Sequence, residues 1–269
     1  MDNRPIGVFD SGLGGLTAVK ELINQLPRER IVYFGDTGRV PYGSRSRKTI
    51  LKYAAQDTEF LASFGVKMII AACGTVSSVV GEIGDSLAVP FTGVVRPTAA
   101  AAAQATRNGK IGIIGTTATI KSGSYTKALK RLEPSLAVFE QDCPLFVPLV
   151  ESGFISPQDP IVSLTIERYL LPMVREGIDT LILGCTHYPI LRPAITQVIG
   201  EKIQLIDSGR ETAIYAAKFL QKNKLLSDSV EDGDYEFFVS DSTEGFSRVA
   251  KLYLGGDVNY TVSKVDLEA

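Results

Sequence analysis

The sequence predicts an α/β protein of two similar domains, each on a mostly parallel sheet, and two observations carry that reading. Short apolar runs alternate with amphipathic or Ala-rich stretches of helical length along all 269 residues, the pattern of βαβ units. One of these runs also occurs twice. Gly65-Val66-Lys67-Met68-Ile69-Ile70-Ala71-Ala72-Cys73 aligns without a gap on Gly177-Ile178-Asp179-Thr180-Leu181-Ile182-Leu183-Gly184-Cys185, and the glycines and the cysteines are both 112 positions apart. A continuous apolar run bounded by turn residues reads as a buried parallel strand, and ligands of such sheets bind at strand carboxyl ends. Two thiols at equivalent ends of two half-proteins are therefore expected to face one cleft, where the active site would lie.

Taken in order, the expected strands are 6–10, 31–35, 68–73, 91–95, 111–115, 137–141, 180–185 and 203–207. Expected helices lie between them at 16–26, 48–64, 98–107, 124–132, 164–176 and 211–223. Two further echoes extend the repeat. Ile6-Gly7-Val8-Phe9-Asp10-Ser11 resembles Ile111-Gly112-Ile113-Ile114-Gly115-Thr116, and Val32 through Asp36 resembles Val138 through Asp142. The first domain is expected to be discontinuous, 1–97 plus 207–269, with 98–206 as the second.

Composition narrows the function classes. A hydrophobic content of 45% with 22% charged residues is ordinary for a globular protein able to bury a large core. A formal net charge of −2 argues against a nucleic-acid or membrane surface dominating function. Three cysteines are too few and too odd in number for a disulfide framework, so reduced thiols in the cytoplasm are expected. No apolar run approaches the roughly 18 residues that a membrane-spanning helix needs.

Cys73 and Cys185 are the leading chemical candidates. A lone cysteine on an apolar strand usually acts as a small hydrophobe. Each of these instead ends its strand, is followed by small polar residues, and precedes an expected helix, whose N-terminus would favour the thiolate. Cys143, in Gln141-Asp142-Cys143-Pro144, has no such setting and reads as structural. His187 is the sole histidine and stands two residues after Cys185, where imidazole is a natural proton partner for a thiol. Asp10 ends the first strand and could equally cap the helix that follows.

Other motifs fail on spacing. Ser11-Gly12-Leu13-Gly14-Gly15-Leu16 matches neither the dinucleotide fingerprint nor a P-loop, though its backbone N–H groups could hold a carboxylate. Pro41-Tyr42-Gly43-Ser44 reads as a turn with exposed donors. Cys185 is followed by Leu191 where a cysteine phosphatase needs Arg, and one His with two distant Cys makes a poor zinc site. No metal site is expected.

At these residues the sequence resembles the glutamate racemases of the aspartate/glutamate racemase superfamily. The shared motifs are Phe9-Asp10-Ser11-Gly12-Leu13-Gly14-Gly15-Leu16, Gly35-Asp36-Thr37 with Pro41-Tyr42-Gly43, Ala72-Cys73-Gly74-Thr75, Gly115-Thr116 with Ala118-Thr119, Pro148-Leu149-Val150-Glu151-Ser152-Gly153, and Leu183-Gly184-Cys185-Thr186-His187-Tyr188-Pro189. The resemblance implies racemisation of glutamate without a cofactor, supplying D-glutamate for peptidoglycan, by a cytoplasmic enzyme that forms a homodimer.

It implies that Cys73 takes the α-proton of the D-enantiomer and Cys185 that of the L-enantiomer, with Asp10 and His187 assisting their respective thiols. It further implies substrate contacts from Asp10, Ser11, Tyr42, Gly43, Gly74, Thr75, Thr116, Thr119, Thr186 and His187, with Asp36 and Glu151 in support. One departure stands out: the family usually shows Cys-Asn-Thr where this chain has Cys73-Gly74-Thr75, so position 74 offers only backbone. A racemase of another small acid such as aspartate, or a two-lobed amino-acid sensor without catalysis, are the alternatives. A sensor has no use for paired bases, and no Lys stands at the strand ends to hold pyridoxal.

Overall fold

The computed structural model of the chain describes residues 1–79, 84, 87–244, 246–256 and 258–267. It divides into two compact units, Met1–Val94 with Gly209–Ala269, and Val95–Ser208. Along the chain the elements run β1 (Ile6–Asp10), α1 (Leu16–Gln25), β2 (Ile31–Gly35), α2 (Arg47–Ala62), β3 (Met68–Ala71), α3 (Gly74–Ser77), β4 (Phe91–Gly93) and α4 (Val95–Ala105). They continue with β5 (Lys110–Gly115), α5 (Thr117–Ser122), α6 (Ser124–Leu132), β6 (Ala137–Asp142), α7 (Phe146–Glu151), α8 (Pro160–Arg175), β7 (Thr180–Leu183) and α9 (Arg192–Ile199). The last are β8 (Gln204–Asp207), α10 (Ser208–Lys222), β9 (Tyr235–Val239), α11 (Phe246–Leu254) and β10 (Thr261–Lys264).

The first unit holds a six-stranded sheet in the order β10-β9-β2-β1-β3-β4, parallel at every pairing. Every residue of β1, β2 and β3 is buried, as a sheet covered on both faces requires. α1 packs on α11, and α2 covers β1 and β2. Phe9, Phe34, Ile50, Leu61 and Ile69 form the core beneath α2, each contributing about 1.5–3 kcal/mol by burial. The second unit carries a four-stranded parallel sheet, β6-β5-β7-β8. Its core is built from Ile111, Ile113, Leu129 and Ile182 against Ala99 and Ala102 of α4.

The two sheets repeat one strand order. The order β2-β1-β3-β4 matches β6-β5-β7-β8, and the registers agree: Ile6 lies opposite Met68 as Ile111 lies opposite Thr180. Past the strand ends the likeness persists. Ala72 N–H donates to Phe9 O at 2.9 Å and Gly184 N–H to Ile114 O at 2.8 Å, while Asp36 N–H donates to Asp10 O and Cys143 N–H to Gly115 O, both at 3.0 Å.

This ladder corrects one expectation. The sequence echo set Asp36 against Asp142, but Asp10 pairs with Gly35 whereas Gly115 pairs with Asp142, so the counterpart of Asp36 is Cys143. Matching acid to acid slipped the comparison by one residue, and a slip of one moves every side chain to the other face.

Absent from the sequence reading were β9, α11 and β10, and the short helices α5 and α7. In β9 the buried residues are Tyr235, Phe237 and Val239, and Glu236 interrupts the strand so that only Phe237-Phe238-Val239 is left as a continuous apolar run. α4 begins at Val95 because Pro97 sits in its first turn, where a missing N–H costs nothing. α8 begins at Pro160, capped by the Asp159 side chain accepting from Ile161 N–H at 2.8 Å. Among the described residues no helix is long and apolar enough to cross a membrane, and no group of three His, Cys, Asp or Glu could hold a metal ion.

One buried charge pair ties the first unit together. Lys67 enters β3, and its Nζ donates to Asp2 O at 2.6 Å and Leu225 O at 2.7 Å and lies 2.5 Å from Glu29 Oε2. Glu29 Oε1 accepts from Ser227 N–H at 2.8 Å. Both side chains are almost wholly buried, so the start of the chain and the segment after α10 are pinned to β3 by a charge with its bonds satisfied.

Candidate active site

In each unit the candidate residues gather at the carboxyl ends of the paired central strands, where a parallel sheet of this order reverses direction. In the first unit these are the ends of β1 and β3. Asp10, 1% exposed, turns its Oδ2 to accept from Gly15 N–H at 2.8 Å. The carboxylate thus caps α1, where the helix dipole favours negative charge. The chain must fold closely to do so: a Cβ on Gly15 would lie 2.5 Å from Asp10 Cβ, and one on Gly35 would collide with Gly12 O. The loop is held by Tyr33, whose buried hydroxyl donates to Gly12 O at 2.6 Å. Burial, then the charges at Asp10, Tyr253 and Cys73, push the Tyr33 phenol well above its ordinary value, so it stays a donor.

Cys73 is the residue before α3, buried at 5% exposure, and its Sγ lies 3.5 Å from Ser11 Oγ. α3 is a single turn, Gly74–Ser77, so the helix expected behind this thiol is short. Gly74 and Thr75 are buried in that turn. Tyr42 and Gly43 lie in a 3₁₀ turn, Tyr42–Ser44. The Tyr42 side chain is buried rather than presented outward, and its hydroxyl donates to Asp36 Oδ2. Asp36 is fully buried one residue beyond β2, its N–H on Asp10 O.

In the second unit the ends of β5 and β7 carry the counterparts. Thr116 Oγ1 accepts from Thr119 N–H at 3.2 Å, capping α5, and lies 3.0 Å from Thr119 Oγ1. Cys185, 7% exposed, has its Sγ 3.8 Å from His187 Nδ1. His187 Nε2 lies 3.1 Å from Glu151 Oε1 at the end of α7. A carboxylate on the far nitrogen fixes which ring nitrogen carries the proton and so turns the other toward the sulfur. The Glu151 side chain is 60% exposed, so this contact orients the ring more than it stabilises the fold. Thr186 is buried between the two. The helix expected directly after Cys185 is displaced. A turn closed by Tyr188 N–H on Cys185 O at 3.1 Å leads into a 3₁₀ segment, Tyr188–Leu191, and α9 follows only after it.

Cys143 lies at the position equivalent to Asp36. It is fully buried, its carbonyl accepts from the Tyr188 hydroxyl at 3.0 Å, and burial followed by the Asp142 charge pushes its thiol up. A protonated, enclosed thiol is inert, as the sequence reading held. Missed by that reading were Tyr33, Arg39 and Asp57. Asp57 left one signal: it falls on the apolar stripe of α2 with Ile50, Ala54, Thr58 and Leu61, where a solvated carboxylate does not belong.

Comparison with known proteins agrees with this fold. The Asp/Glu/Hydantoin racemase family model matches residues 13–216. A glutamate racemase of Geobacter metallireducens is 45% identical over 267 residues, covering 99% of this chain and 98% of its own. The crystal structure of a glutamate racemase isoform from Bacillus anthracis superposes with a TM-score of 0.94 at 40% identity, over 99% of both chains. That of the Francisella tularensis glutamate racemase, solved with D-glutamate, gives 0.91 at 38% identity, covering 100% of this chain and 99% of its own. On the family match over most of its length and identities far above chance, the chain belongs to the Asp/Glu/Hydantoin racemase family.

Proposed function

We propose that this chain interconverts L- and D-glutamate by two-base proton transfer, with Cys73 and Cys185 as the bases. The observation that carries the reading is the pair of thiols at equivalent ends of β3 and β7, each beside its own polar partner. Inverting a carbon requires removal of the α-proton from one face and its return on the other. One thiolate and one thiol accomplish this, and the reverse reaction exchanges their roles. Relatives about 45% identical over nearly the whole chain are glutamate racemases, and one solved relative holds D-glutamate. Those facts support glutamate over aspartate as substrate.

In this reading Asp10 assists Cys73 and His187, oriented by Glu151, assists Cys185; such assistance contributes about 10²–10⁴-fold. Ser11, the main chain of Tyr42 and Gly43, Gly74, Thr75, Thr116, Thr119 and Thr186 hold the amino acid, and Asp36 supports the first group. Homodimeric assembly, a cytoplasmic location and supply of D-glutamate to peptidoglycan belong to the same reading through family likeness.

Circular dichroism of an L-glutamate solution with purified enzyme and no added cofactor tests it. The signal is expected to decay to zero, and L-aspartate in a parallel cell is expected to keep its signal. Unchanged L-glutamate would overturn the assignment, and decay of L-aspartate alone would move it to another acid. Position 74 gives a second measurement. Asn in place of Gly74 adds the amide that relatives use, and a hydrogen bond to a charged group contributes about 1.5–3 kcal/mol. Gly74→Asn is therefore expected to lower KM roughly tenfold or more while leaving kcat in place. A raised KM in a folded variant would remove Gly74 from the binding residues.

A further inference from the structure

We propose that Asp57 is a positioning residue that is protonated in the folded protein and, by donating to the Tyr42 hydroxyl oxygen, fixes the Tyr42–Ser44 turn and Asp36 beside Asp10. The proposal rests on the reading of Tyr42 and Gly43 as part of the substrate site.

The hydrogen count carries it. The Tyr42 hydroxyl touches Asp36 Oδ2 and also lies 3.3 Å from Asp57 Oδ2. A phenol has one hydrogen to give. Asp36 also receives Arg39 Nε on Oδ2 at 2.6 Å and the Ser240 hydroxyl on Oδ1 at 2.7 Å, the surroundings of an ionised carboxylate. The Tyr42 hydrogen therefore points to Asp36. Its oxygen then faces an Asp57 oxygen, an approach that is attractive only if Asp57 brings the hydrogen.

Charge leads to the same place. Asp36 and Asp57 are both fully buried, and Arg39 is the cation between them, its Nη2 3.0 Å from Asp57 Oδ1 and its Nη1 2.6 Å from Gln56 Oε1. Its guanidinium also lies over the Tyr53 ring, 4.2 Å from the centroid. Asp10, at the end of β1, adds a smaller negative charge that also disfavours an ionised Asp57. Two enclosed carboxylates sharing one guanidinium cannot both stay ionised cheaply. Burial, then Asp36, drives the Asp57 carboxyl well above the carboxylate range, with Arg39 and Tyr42 opposing. Tyr42 itself is pushed up by burial and then by both carboxylates, so it remains a hydroxyl.

The link reaches the site by two short routes. Tyr42 O accepts from Arg45 N–H at 3.0 Å, so a fixed hydroxyl fixes the turn whose main chain includes Gly43. Asp36 N–H binds Asp10 O at 3.0 Å, at the end of the strand that carries the assisting carboxylate. The second unit has Cys143 where the first has Asp36, so this arrangement is built into one half alone.

Asp57→Asn copies the neutral acid, with an amide N–H for Tyr42 and a carbonyl for Arg39. Melting temperatures of wild type and Asp57→Asn, taken between pH 4 and pH 8, decide the protonation. A carboxyl whose folded pKa exceeds its unfolded value of about 3.9 loses stability as pH rises toward the folded value. Asp57→Asn lacks that loss, so its melting temperature is expected to gain on wild type as pH rises. A variant that instead falls behind with rising pH would show an ionised Asp57 paired with Arg39 and overturn the proposal.

Asp57→Leu and Tyr42→Phe each remove the link. Each is expected to raise KM for both enantiomers roughly five- to tenfold, the effect of one lost hydrogen bond, with kcat little changed, whereas Asp57→Asn keeps the wild-type KM. Unchanged KM in whichever of the two folds would overturn the positioning role. The melting curves need no substrate, so a wild-type protein inactive on glutamate would sink the racemase reading and leave the protonation answer intact.

Discussion

Cys73→Ala is expected to lose racemisation of glutamate by roughly 10⁴-fold or more in both directions, because one face of the carbon then has neither base nor acid. Partial chemistry should survive. With Cys185 intact, the variant is expected to take the α-proton of L-glutamate and return solvent hydrogen to the same face. In heavy water the α-proton signal of L-glutamate would fade without inversion, while D-glutamate would stay unlabelled. Cys185→Ala is expected to show the mirror result, fading for D-glutamate alone. Proton NMR reads both. The sulfurs are small and their burial is shared with main chain, so the fold should hold, as far-ultraviolet dichroism would show. Near-wild-type turnover by either variant would end the two-base reading.

Lys67→Met is expected to be strongly destabilising without touching the site. It leaves Glu29 as a charge enclosed without its cation and strips Asp2 O and Leu225 O of their donor. Removing one partner of a buried pair costs about 3–5 kcal/mol. For a chain of this size that lowers the melting temperature by roughly 6–20 °C. Adding Glu29→Leu should recover part of the loss by removing the stranded carboxylate. Recovery stays incomplete because two carbonyls and the Ser227 N–H still lack their partners. A single-variant loss below about 1 kcal/mol by thermal unfolding would mean water reaches this pair.

How far the sequence was legible follows from where each signal comes from. β3 and β7 were plain because both faces of a parallel strand are buried, which writes an unbroken apolar run and leaves the 112-residue repeat visible. β9 was opaque because Glu236 cuts its apolar run to the three residues Phe237-Phe238-Val239. Cys73, Cys185, Asp10 and His187 stood out because strand ends followed by turn residues are where function concentrates. Asp57 stayed hidden because its partners, Arg39 and Tyr42, come from the irregular loop and turn after β2, and the helical pattern records only that a carboxylate stands on the apolar stripe. The one-residue slip between Asp36 and Cys143 was out of reach for the same reason. Register is a property of the hydrogen-bond ladder, which composition does not record.

The duplicated sheet centre ends in unlike chemistry: a carboxylate at the start of a helix, on the strand paired with that of one thiol, and an imidazole backed by a carboxylate beside the other. Mirror-image substrates have equal free energy in water, so the equilibrium constant of a racemisation is unity. The Haldane relation then holds kcat/KM identical in the two directions, in the wild type and in every variant, whatever assists each thiol. The difference between Asp10 and the His187–Glu151 pair can surface only as a trade between kcat and KM, each enantiomer's faster turnover matched by its weaker saturation. An asymmetry sought in catalytic efficiency will be missing even when the two halves work by different means.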